Sequence, residues 1–145
     1  MMDVLIQLAA SCVGTLGFGI LFNTRGWKLF WATVGGVLAW GMFLALEGLL
    51  PSEPLRYFLV STCTTLYAEV LARRLKTPVS TFCISTLIPL VPGGALYYTT
   101  TYALGGHSQQ FLAKLIYTLE LSVALSLGIV LVTALFKFYA MLKKH

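Results

Sequence analysis

Charge is what this sequence has least of. Ten Lys and Arg and five Asp and Glu make up 10% of its 145 residues, where a soluble domain carries about a quarter. With 58% hydrophobic residues and a mean hydropathy of +0.85, that shortage excludes an ordinary soluble domain. An all-α integral membrane protein of one domain is expected, with no room for a second. Basic residues are missing from the first segment too. MMDVLIQLAAS holds Asp3 but no Lys or Arg, so the positive start of a cleavable signal is lacking. Cysteine is scarce and unpaired: Cys12, Cys63 and Cys83 each fall within an apolar run, without metal-type spacing. No disulfide framework, metal site or cofactor is expected. Histidine is limited to His107 and His145, and no Ser–His or Cys–His pairing is visible, so an enzyme is not expected.

What the sequence has instead is long apolar runs. A spanning helix needs about 20 mostly apolar residues, and five stretches qualify: about residues 3–22, 29–50, 55–75, 79–104 and 111–136. The net charge of +5 does not point to nucleic acid, because the basic residues sit at the ends of these runs. Arg25, Lys28, Arg73, Arg74, Lys76, Lys137, Lys143 and Lys144 would share one side, leaving Arg56 and Lys114 on the other with Asp3 and Glu53. The positive-inside rule then predicts an outside N-terminus and a cytoplasmic C-terminus.

The third run is the least apolar. Thr62, Thr65 and Glu69 recur at helical spacing and share a face, which should look into protein or water. Glu120, with Tyr117 and Ala124, marks a comparable face in the fifth run. Both glutamates are expected in the interior, since a charge at a helix centre costs about 2.5–3.5 kcal/mol on insertion. Gly14, Gly17, Gly35, Gly36 and Gly41 should allow close helix approach. Gln7 and Ser11, one turn apart, are candidate interhelical hydrogen-bond formers.

The fourth run is interrupted. STLIPLVPGGALYYTTTY, residues 85–102, places two prolines and two glycines in mid-span. Pro89 removes the helical partner of the Ser85 carbonyl, Pro92 removes that of Ile88, and Gly93 and Gly94 permit unusual dihedrals. A span divided here would present free amides near Gly94, suited to a carboxylate, and free carbonyls suited to an ammonium. Discontinuous helices of secondary transporters use this arrangement. A packed proline kink and a belt of interfacial tyrosines are the bland alternatives.

The segment IPLVPGGALY resembles the P-x-V-P-G…Y signature of the threonine/serine exporter family. In length and helix count the whole chain is similar to the small five-helix subunit that matches the exporter's C-terminal half. The resemblance implies a bacterial inner-membrane exporter of small amino acids or small carboxylates, working with a larger five-helix partner or as a homo-oligomer. Ser85, Pro89, Pro92, Gly93, Gly94 and Tyr97 are then the expected substrate residues, and Glu69 and Glu120 the candidates for proton coupling. The alternative function is a non-transporting scaffold or regulatory subunit.

Overall fold

The structure is a computed structural model that describes residues 2–142. Met1, Lys143, Lys144 and His145 lie outside the described residues, so the expected side of those two lysines rests on sequence. Among the described residues the fold is entirely helical: α1 (Met2–Leu21), α2 (Trp27–Glu47), α3 (Glu53–Arg74), α4 (Val79–Leu87) continued by a 3₁₀ turn (Ile88–Leu90), α5 (Gly93–Leu104) and α6 (Ser108–Leu142).

The helix boundaries follow from local chemistry. After α1, Asn23 takes a left-handed φ of 56° and the Thr24 amide reaches back to the Gly19 carbonyl at 2.9 Å, a glycine-like C-terminal stop. α3 begins with Ser52 at the cap position, then Glu53 and Pro54, and ends on Arg73 and Arg74. Apart from Arg56 in its first turn, this order suits both a helix start and the helix dipole. α2 stops at Glu47, a turn earlier than the expected end at Leu50. α6 continues six residues beyond the expected end at Phe136. At 35 residues it is about 52 Å long, against a hydrocarbon core of about 30 Å.

Three helices, α1, α2 and α6, are long and apolar enough to cross a membrane, or four if the bent pair α4–α5 is one span. α3 is long enough at 22 residues but carries too much polarity to meet the same standard. Five spans are therefore an expectation that this fold accommodates through α3, not a count read from it.

α3 is the hub, packing against α2, α4 and α6. Its buried face carries Val60, Ser61, Thr64, Thr65, Ala68, Glu69 and Ala72, as the spacing predicted for Thr65 and Glu69, whereas Thr62, the third residue of that set, is half-buried. α6 can come close because of Gly128: a Cβ there would stand 2.7 Å from the Phe58 carbonyl oxygen and collide with Ser61. Gly36 plays the same part between α1 and α2, against Thr15. Gly14 and Gly17 do not, since a Cβ at either meets nothing within 4 Å. The hydroxyls largely serve their own helices. Thr15, Thr33, Thr62, Thr86, Thr99, Thr100, Thr118, Ser122 and Thr133 each donate to the carbonyl four residues earlier.

Candidate functional site

The fourth run is divided where its prolines and glycines predicted. The arms Val79–Leu90 and Gly93–Leu104 meet at an angle of 60°. They are of equal length, so the break falls midway along the run. Pro89 sits within the 3₁₀ turn, Val91 is extended with ψ 126°, and Pro92 caps α5.

Hydrogen bonding at the break differs in one respect from the sequence expectation. The Ile88 carbonyl is not left free by Pro92, because the 3₁₀ turn brings the Val91 amide onto it at 3.1 Å. On the far side, the Gly93 amide reaches the Val91 carbonyl at 2.7 Å and the Leu96 amide reaches the Pro92 carbonyl at 3.1 Å. Between them, the amides of Gly94 and Ala95 have no backbone acceptor across the break among the described residues. They form the positive end of α5. Gly93 and Gly94 are exposed, and a Cβ on either would meet open space.

The expected substrate residues do not converge on one pocket. Ser85 is fully buried and its hydroxyl turns back to the Thr81 carbonyl at 3.1 Å. Pro92 is buried too. Pro89 lines a cleft of about 260 Å³ with Ile88, Gln7, Ala10, Ser11, Gly14 and Trp40. Gly93, Gly94 and Tyr97 face outward. In the cleft the polar side chains are already engaged: Ser11 Oγ donates to the Gly36 carbonyl at 3.1 Å, and Trp40 Nε1 donates to Gln7 Oε1 at 3.3 Å. Gln7 and Ser11 are thus the interhelical bond formers the sequence suggested. The hydrogen-bonding groups without an acceptor near the break are the α5 amides instead.

The two glutamates separate. Glu69 is buried, and its Oε2 lies 3.5 Å from Arg73 Nε; the Arg73 guanidinium in turn covers the Phe136 ring at 4.6 Å. Thr65 Oγ1, one turn from Glu69, is buried with no hydrogen-bond partner among the described residues. Glu120 does not face the interior as expected. It is exposed on α6, in an apolar groove of about 460 Å³ with Pro54, Ile116, Leu119, Val123, Ala124 and Leu127. Its neighbours in the helix explain the difference: Leu121 and Thr118 point inward, which carries Glu120 to the edge of the buried face and out.

Sequence reasoning missed a second cluster at the opposite end from Arg25, Arg73 and Arg74. Tyr117 donates its hydroxyl to the Glu53 carboxylate, and Lys114 Nζ lies 5.0 Å from the centre of the Tyr117 ring. Arg56, placed by the sequence only as a topology marker, is buried with its guanidinium 5.0 Å from the centre of the Phe43 ring. The only available signal was an arginine in the first turn of a helix.

Residues 7–135 match the family model described as "Threonine/Serine exporter, ThrE". Comparison with curated proteins and with solved structures gave no match. The matched segment is most of the chain and includes the whole break, so the chain belongs to the threonine/serine exporter family.

Proposed function

We propose, from that family membership, that the chain is one subunit of a secondary exporter of small amino acids in a bacterial inner membrane, driven by the proton gradient. The observation that carries this reading is the break. Two amides without a backbone acceptor at the start of α5, those of exposed Gly94 and half-buried Ala95, lie at the middle of an apolar run and are a ready position for a substrate carboxylate. Unpaired backbone groups at that depth must face protein, water or a ligand, and those amides have no backbone acceptor among the described residues.

The same observation supports a partner. Gly93, Gly94 and Tyr97 lie on the surface of the single chain, so a substrate held there needs a second wall. Glu120 adds to this. A carboxylate in an apolar groove is costly against lipid and is relieved by a neighbouring protein chain. A larger five-helix subunit of opposite polarity would make an inverted pair, with its transport site at the junction. In this reading α3 spans with the others, the N-terminus is outside, and Glu69 and Glu120 carry the coupling protons. Small carboxylates are the alternative substrates.

Reconstitution with the partner tests the reading. Pro92→Ala combined with Gly93→Ala favours a continuous helix, since proline costs about 3 kcal/mol in a helix interior relative to alanine. The double variant should insert and assemble normally yet fail to move threonine in liposomes. Unchanged threonine affinity in the assembled variant would leave the break as packing and return the chain to the role of a scaffold.

A further inference from the structure

The break is not the one place prepared for an anion. Arg56 keeps only 8% of its surface, and its Nε is enclosed with no hydrogen-bond partner. The one ion pair among the described residues is Arg73–Glu69, so none of their carboxylates lies within ion-pair distance of this guanidinium. Glu53, three residues before it, is held by the Tyr117 hydroxyl, and Glu47, at the end of α2, is exposed. The arginine is also in an unfavourable place. It lies in the first turn of α3, its own amide bonded to the Ser52 carbonyl at 3.2 Å, where the helix dipole is positive. No side chain caps that helix start. The Phe43 face beneath the guanidinium compensates in part. A buried guanidinium whose Nε has no partner among the described residues, beside uncapped helix amides, suits an anion with two oxygens to meet the planar fork.

We propose that Arg56 is the centre of a second binding site, at the end of the molecule away from Arg73 and Arg74, that takes the carboxylate of a small organic acid or amino acid. It does not depend on the break: Arg56 belongs to α3, and its contacts run to α2. In an exporter subunit such a site would be a station at the outer mouth, occupied after the substrate leaves the break.

The test is equilibrium dialysis of radiolabelled propionate with the full chain and its partner subunit reconstituted together in lipid nanodiscs, helical content being checked by circular dichroism. Two binding components are expected for the parent. Propionamide, which lacks the anionic oxygens, should compete at least about tenfold more weakly, the factor expected from losing one charged hydrogen bond. Arg56→Lys keeps the charge without the fork and should weaken one component by about tenfold; Arg56→Gln should abolish it. Pro92→Ala with Gly93→Ala should remove the other component and leave that of Arg56 intact. A single component, lost in the double variant and indifferent to Arg56, would overturn the inference while sparing the break. A single component lost only with Arg56 would do the reverse. If the parent binds no propionate and Arg56→Lys instead loses its partner subunit, the guanidinium belongs to a carboxylate of that protein and the inference fails.

Discussion

The inner face of α3 and the break between α4 and α5 both place hydrogen-bonding groups inside an oily chain, but only the first is enclosed by the chain's own helices. On α3, Ser61, Thr64, Thr65 and Glu69 are enclosed by α2, α4 and α6, and Glu69 has its own arginine. At the break, Gly93 and Gly94 stand open, and the amides of Gly94 and Ala95 have no backbone acceptor among the described residues. Glu120 lies exposed on α6 in the same unfinished manner. A chain that closes one polar region and leaves another bare has divided its work. The closed region holds the fold together, and the bare one is where the proposed substrate and partner would be met.

The comparison can be broken most severely at Gly128. Adding a side chain there drives α6 off the Phe58 carbonyl, and overpacking of this kind costs about 3 kcal/mol. Gly128→Val should lose its monodisperse peak on size-exclusion chromatography in detergent, whereas Gly94→Val, with open space at its Cβ, should keep it. Equal behaviour of the two would erase the distinction between closed and open regions.

A smaller effect is expected at Glu120. Glu120→Leu removes a charge from an apolar groove, so the single chain should melt no lower than the parent. Affinity for the partner subunit should fall about tenfold, within the range of one interhelical polar contact in a membrane. Co-purification at graded detergent concentrations measures this, and undiminished affinity would turn the groove over to lipid.

Gly94→Ala sharpens the contrast further. Alanine gains about 1 kcal/mol over glycine in a helix and meets no neighbour, so thermal stability should rise slightly. Threonine affinity should fall, because the added methyl enters the space beside the free amides. The smallest change is expected in the cleft, where Trp40→Phe removes one exposed 3.3 Å bond to Gln7. Stability should drop by no more than about 1 kcal/mol, with transport unaltered.

Much of this was legible from residue order alone. The apolar runs located every helix, and two prolines with two glycines located the break, because both are local effects of the backbone. The inward face of α3 was legible from the spacing of Thr65 and Glu69. Glu120 misled for a related reason. Spacing identifies which residues share a side of a helix, but not how wide a strip the neighbours will cover, and on α6 the covered strip is the narrow line of Thr118, Leu121, Ala124, Gly128 and Val132. Arg56 was illegible as a site. Its burial depends on Phe43 from another helix, and a charged residue at the start of an apolar run otherwise reads as a marker of the membrane surface. The Ile88 carbonyl was misjudged because a proline deletes one hydrogen bond without saying whether a tighter turn will supply another.

The hydroxyls that bond to their own helices have a consequence for how such a chain partitions. A transfer scale treats threonine as a group torn from water with nothing in return. Thr62, whose hydroxyl reaches the Phe58 carbonyl at 2.7 Å, has already exchanged its water for peptide before meeting any neighbour, and Ser61 shares the same carbonyl at 3.0 Å. Such a hydroxyl asks less of its surroundings than its composition suggests. Measured by what it exposes rather than by what it contains, α3 is oilier than its letters, and a translocon sampling it residue by residue would meet something closer to valine.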